Sequence, residues 1–160
     1  MTSPIRFWGV VILLAVAHFL LTVGLGLGFG FPDLLLLSLL LAVRELRVGW
    51  AAVLGLFLGL MEDAFAVLSF GANAVAFVVV AIAGSRTRDL FVGESGMFIV
   101  GYFVGGKLAR DLFHWLAAGE GGRPPFVEAV VVQGGLGALY LAGVGTVVAL
   151  LAGSWRGGST

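Results

Sequence analysis

Residues 7–28 read FWGVVILLAVAHFLLTVGLGLG, an apolar run of 22 residues without a charged side chain. At 1.5 Å per residue, an α-helix of this length extends about 33 Å and crosses a hydrocarbon core of roughly 30 Å. The run is longer than the apolar region of a secretory signal peptide, and no clean small-residue cleavage site follows it. We therefore expect it to form the first permanent membrane span.

The rest of the chain has the composition of a membrane protein. Hydrophobic residues make up 60% of the 160 residues, charged residues make up 11%, and the mean hydropathy is +1.11. A soluble domain carries roughly a quarter charged residues. The nine positive and nine negative side chains balance, and the chain contains no cysteine. Nothing in the charge therefore points to nucleic acid, and disulfides and thiolate metal sites are excluded.

Charged and turn residues divide the remaining sequence into five further apolar blocks, residues 33–43, 48–61, 73–84, 96–116 and 126–151. We expect an all-α polytopic membrane protein with six transmembrane helices in one domain, residues 1–152, followed by a polar cytoplasmic tail, residues 153–160. The second to fourth blocks are short for a membrane span. Three remedies are open: flanking arginine side chains extend to the interface, the bilayer thins, or neighbouring helices bury the short spans. The third remedy, which is our hypothesis, predicts a dip in the outer surface above Glu62 and Asp63.

The arginines predict the orientation. Only Arg123 lies in the loops on one side of the predicted spans, whereas six arginines lie on the other side: Arg6, Arg44, Arg47, Arg86, Arg88 and Arg156. Because cytoplasmic loops of membrane proteins are enriched in Lys and Arg, both termini are expected in the cytoplasm.

Small residues recur every four positions in three of the blocks, which places them on one face of each helix. Such ladders allow helix backbones to approach closely, which is a main source of attraction between helices in lipid. An apolar, glycine-rich helix also matches this spacing by chance. The candidate positions for helix packing or for docking of a partner helix are Gly55, Gly59, Gly101, Gly105 and Gly145.

Five charged residues interrupt the apolar blocks: Glu62, Asp63, Lys107, Arg110 and Asp111. Charged groups in hydrocarbon are expensive and normally face a partner or water. Counted along their helices, the acidic and the basic pair lie at similar depth, about 18–22 Å from the cytoplasmic entry. We therefore expect the two pairs to be in contact. This intramembrane polar cluster suits a proton relay, a ligand site or a partner-docking site, and equally a helix-ordering salt bridge or groups at the outer interface.

Catalytic motifs are weak in this sequence. Gly93-Glu94-Ser95-Gly96 fits the GxSG pattern of rhomboid-type intramembrane proteases, but a catalytic serine needs an adjacent base. His114 lies about 28 Å further along the same predicted helix, and His18 lies on another helix. No metal-ligand cluster and no phosphate-binding loop is present in the sequence. We expect no enzymatic activity, no metal and no cofactor.

One segment, residues 31–91, resembles the family of the rod shape-determining membrane protein MreD. The similarity rests on Pro32-Asp33 followed by four leucines, a basic corner at residues 44–47, a glycine-rich stretch ending at Asp63, Gly71-Ala72-Asn73-Ala74, and Arg86. One departure is Glu62, where the family more usually has an apolar residue before the acid. The resemblance assigns family-motif roles to Pro32, Asp33, Asp63, Asn73 and Arg86.

The resemblance implies a non-catalytic scaffold of the bacterial cell-elongation machinery, located in the inner (cytoplasmic) membrane. It implies binding to the single-span protein MreC and, through it, action on the peptidoglycan synthase RodA–PBP2 and on MreB; homo-oligomers are also open. The six-helix arrangement of the family is similar to the S component of energy-coupling-factor transporters. The alternative is therefore a substrate-binding membrane component of a vitamin-type transporter.

Overall fold

The computed structural model describes residues 4–25, 33–66, 69–87, 96–119 and 123–151, and these form six helices and no strand. Helix α1, Pro4–Phe19, continues as a π-helical segment, Leu20–Gly24. It is followed by α2, Leu34–Ala42, α3, Val48–Asp63, α4, Ala72–Thr87, and α5, Gly96–Ala117. A second π-helical segment, Val127–Gln133, leads into α6, Gly134–Leu151. The all-α prediction is confirmed, and the predicted tail, residues 153–160, lies outside the described residues.

Helix α2 is the centre of the fold and packs against each of the other five helices. Its residues 35–43 are at most 1% exposed. An all-apolar helix suits either a protein core or lipid, and the short length of α2 favours the core. Nine residues extend only about 14 Å, so α2 by itself reaches through about half of a hydrocarbon core of roughly 30 Å. The prediction that neighbours bury the second block is confirmed.

Helices α3 and α4 form a tight antiparallel pair across two glycines. A Cβ atom at Gly59 would lie 2.5 Å from the Cα of Ala74, and one at Gly55 would lie 2.7 Å from the carbonyl oxygen of Phe77. Gly71, with φ of 92°, occupies the left-handed region directly before α4. A glycine tolerates this conformation without the steric cost that a side chain brings.

The opposite face of α3 is open. Trp50 is 68% exposed and Phe57 is 58% exposed. Neighbouring helices therefore bury the third block on one face only, the face that contains Gly55 and Gly59.

Among the described residues, two helical stretches are long and apolar enough to cross a membrane: Pro4–Gly24, with 21 residues, and Val127–Leu151, with 25 residues. Many large apolar side chains on these stretches point away from the core, among them Leu13, Leu20, Leu136 and Leu139. A monomeric soluble protein rarely exposes extended apolar patches of this kind. The described surface therefore suits lipid better than water.

Candidate functional site

Asp63 is fully buried at the end of α3 and binds the start of α4. Its Oδ1 accepts a hydrogen bond from the backbone N–H of Asn73 at 3.1 Å, and its Oδ2 accepts one from the N–H of Ala74 at 2.9 Å. The first amides of a helix lack intrahelical acceptors and carry partial positive charge, so a carboxylate there is stabilised. Asp63 thus caps α4 from a neighbouring helix and does not line an open dip in the outer surface, contrary to prediction.

Arg110 of α5 connects three helices. Its Nη2 donates to Glu62 Oε1 on α3 at 2.7 Å and to Asn73 Oδ1 on α4 at 2.8 Å. Its Nη1 donates to Asp111 Oδ1 at 3.1 Å. The guanidinium also lies 5.8 Å from the centre of the Phe77 ring, within the range of a cation–π contact. The predicted contact between the acidic and the basic pair is therefore present, between Glu62 and Arg110.

Lys107 pairs along its own helix. Its Nζ lies 2.6 Å from Asp111 Oδ1, one helical turn away, and 4.0 Å from Asp33 Oδ2. The Asp33 Oδ2 atom is also 3.8 Å from Arg110 Nε. Asp33 Oδ1 accepts a hydrogen bond from the N–H of Leu36 at 3.0 Å, which makes Asp33 the N-cap of α2. The resulting polar cluster comprises Asp33, Glu62, Asn73, Lys107, Arg110 and Asp111.

The sequence predicted the members of this cluster only in part. Glu62, Lys107, Arg110 and Asp111 come together, whereas Asp63 contacts backbone amides in place of the basic pair. Asp33 was expected to begin a helix, and its part in the cluster was missed. Its position in the sequence could have shown this. Asp33 begins the second predicted span and Glu62 follows the third, and because these spans run in opposite directions, both residues lie near the same side of the membrane.

A groove with a volume of about 710 Å³ lies between α4 and α5, with Leu40 of α2 also in its wall. Its lining is apolar or small, and includes Ala83, Gly84, Phe98, Gly101, Tyr102 and Gly105. The Tyr102 hydroxyl donates to the carbonyl oxygen of Leu40 at 2.8 Å, which fixes one wall to the central helix. Gly106 faces inward, where a Cβ atom would lie 2.8 Å from Leu40 Cδ1.

The candidate glycines fall into two groups. Gly55, Gly59 and Gly145 are covered by other helices of the same chain; a Cβ atom at Gly145 would lie 2.9 Å from Phe103 Cδ2. Gly101 and Gly105 face the groove, and nothing described lies within 4 Å of the position that a Cβ atom would take at either residue. The face with room for a partner is therefore on α5.

The remaining singled-out residues lie beside the polar cluster, on the surface, or outside the described residues. His18 and His114 lie within electrostatic range of Arg110 in the polar cluster. Arg86 is exposed near the end of α4. Pro32 and Ser95 belong to segments outside the described residues. Within the described ranges, no group of three or more His, Cys, Asp or Glu side chains is arranged to hold a metal ion.

The fold and these two features define an all-helical protein with two helices suited to crossing a membrane, a charged cluster among buried helices and an apolar groove. Comparison of the chain with protein-family models, with curated proteins and with solved structures finds no match.

Proposed function

We propose that this chain is a non-catalytic, multi-pass scaffold of the bacterial inner membrane, of the MreD type, with six spans and both termini in the cytoplasm. Six helices in the positions expected from hydropathy support the span count, as do the exposed apolar side chains. The arginine distribution supports the orientation. The resemblance of residues 31–91 to the MreD family supports a place in the cell-elongation machinery.

The observation that supports a scaffold role most directly is the groove between α4 and α5, which has room for a partner helix. From Met97 to Ala109 its α5 wall extends about 18 Å, which matches half the thickness of a bilayer core. Gly101 and Gly105 leave the α5 backbone accessible to a second helix at close range. In lipid, helices associate through such close packing. The groove is therefore the proposed docking surface for the single transmembrane helix of an MreC-type partner, through which the chain acts on RodA–PBP2 and MreB.

Copurification with a co-expressed, tagged MreC-type protein from the same genome tests this proposal. Gly101→Leu and Gly105→Leu fill the groove with side-chain atoms and should reduce recovery of the partner roughly tenfold or more, the equivalent of about 1.4 kcal/mol. Gly143→Leu is the matched control, because Gly143 lies on α6 and is equally open. Groove variants that recover as much partner as the control would refute the docking surface.

The sequence alone favoured Gly55 and Gly59 for this experiment. Both positions are occupied by α4, so leucine there would disturb the fold before it affected a partner. The same purification also addresses the transporter alternative. An S component should instead bring down an ATPase module and retain a small molecule, and that result would replace the scaffold proposal.

A further inference from the structure

The polar cluster contains more carboxyl groups than cations. Asp63 stands apart, because two amides at the start of α4 meet its charge. Among the described residues, three carboxyl groups, those of Asp33, Glu62 and Asp111, then share the two cations Lys107 and Arg110. A charge without a counter-charge is very costly to bury, and a buried acid in this position neutralises by taking up a proton. With three carboxyl groups and two cations, the buried charges balance when one carboxyl group binds a proton.

Two of the three carboxyl groups are held as carboxylates by their contacts. Asp111 Oδ1 lies 2.6 Å from Lys107 Nζ and 3.1 Å from Arg110 Nη1, so it accepts from both cations. Asp33 accepts the N–H of Leu36 at the start of α2, where the helix dipole favours negative charge. Both arrangements present donors to the carboxylate and no acceptor for a carboxylic acid proton.

Of the three carboxyl groups, that of Glu62 has the fewest contacts that stabilise its charged form. Its Oε1 accepts from Arg110 Nη2, a nitrogen that also donates to Asn73. Its Oε2 is buried and has no hydrogen-bond partner among the described residues. The charged groups that act on Glu62 are Arg110 and Lys107 of α5, Asp33 before α2, and its own neighbour Asp63.

The histidines near the cluster are poor alternatives for the extra proton. His114 Nδ1 is buried without a partner, and the ring forms no ion pair with a carboxylate among the described residues, so a proton there would create a buried positive charge without a contacting counter-charge. His18 of α1 forms no ion pair with a carboxylate in the described part of the chain. Neither ring therefore offers the paired geometry that a buried imidazolium needs.

We propose that Glu62 is a proton-binding site, with the proton carried on Oε2 at neutral pH. The bound proton leaves two carboxylates, Asp33 and Asp111, opposite Lys107 and Arg110, so that the buried charges balance. One fifth of the Glu62 side chain is exposed, which places Glu62 at the edge of the cluster, whereas its Oε2 atom is buried. The site follows from this chain's own charges and does not depend on the partner proposed for the groove.

Infrared spectroscopy of the full-length chain in lipid nanodiscs tests the site, because a protonated carboxylic acid has a C=O stretching band that a carboxylate lacks. At neutral pH we expect one such band, shifted when the protein carries ¹³C-labelled glutamate and unshifted with ¹³C-labelled aspartate. This comparison requires no substitution and so does not depend on the folding of a variant. Glu62→Gln should remove the band, and Glu45→Gln, at an exposed turn, should retain it.

Three results would overturn the assignment: the absence of any protonated-acid band at neutral pH, a band that shifts with labelled aspartate, or a band that persists in Glu62→Gln. The thermal stability of Glu62→Gln provides a second readout. The glutamine amide matches a neutral carboxylic acid in shape and charge, so the melting temperature should be unchanged. A large fall in it would show that Glu62 is needed as an anion and would also contradict the proposal.

Discussion

At the level of single residues, Arg110 joins three of the described helices through side-chain hydrogen bonds. Its planar guanidinium presents five N–H donors in a fixed fork, which suits several acceptors at once. In this chain the fork donates to side chains on α3, α4 and α5. A lysine has a single nitrogen at the end of a flexible stem and cannot reproduce that arrangement.

Replacement of Arg110 should therefore destabilise the protein strongly. We expect Arg110→Met to cost about 3–5 kcal/mol, because it removes a buried cation and leaves the carboxylates of Asp33 and Asp111 opposite Lys107 alone. Arg110→Lys should rescue only part of the loss. Arg86→Met, at an exposed position on α4, is the control and should stay within about 0.5 kcal/mol of wild type. Reversible unfolding in mixed micelles measures the difference, and equal stability of the two methionine variants would contradict the assignment.

Depth counting from the sequence predicted the Glu62–Arg110 contact but not the fate of Asp63. Adjacent residues on an α-helix point about 100° apart, so Glu62 and Asp63 cannot face the same partner. Which of the two faces α5 depends on the rotation of α3, and α4 packing on Gly55 and Gly59 sets that rotation. The residues of the cluster can therefore be found in the sequence. Tertiary packing decides that Glu62 pairs with Arg110 and that Asp63 pairs with the amides of α4.

At the level of helices, identical glycine spacing serves two different purposes. Gly55 and Gly59 bring α3 onto α4, whereas Gly101 and Gly105 remain uncovered on α5. Four-residue spacing predicts that the small residues share a face, and it contains no information about what covers that face. The burial of α2, by contrast, was predictable from its length, since nine residues extend too little to match the thickness of the lipid and neighbouring helices can cover them.

Leucine substitutions should distinguish the covered glycines of α3 from the open glycines of α5 by their effect on the stability of the isolated chain. Gly59→Leu places a side chain against the backbone of Ala74 and should destabilise the protein by about 1–3 kcal/mol or more. Gly101→Leu enters open space and should change stability by no more than about 0.5 kcal/mol. Thermal unfolding of the isolated chain in detergent compares them. Equal losses for both variants would show that the groove is filled by the chain itself.

At the level of the whole molecule, the helix order was predictable because charges and turn residues bound each apolar block. The roles proposed for the polar cluster and for the groove both depend on the placement of the chain in a membrane. The polar cluster is costly only if apolar surroundings enclose it, and the groove can receive a transmembrane helix only if it opens to lipid. The six-span arrangement with both termini in the cytoplasm is therefore the central claim.

Cysteine labelling tests this claim most directly, because the chain has no cysteine of its own. Single cysteines replace Glu45 between α2 and α3, Ala64 after α3, and Gly119 after α5, all at exposed positions. A membrane-impermeant maleimide applied to intact spheroplasts should label Ala64→Cys and Gly119→Cys, and should label Glu45→Cys only after the membrane is permeabilised. Labelling of all three from outside, or of Glu45→Cys alone, would contradict the proposed topology.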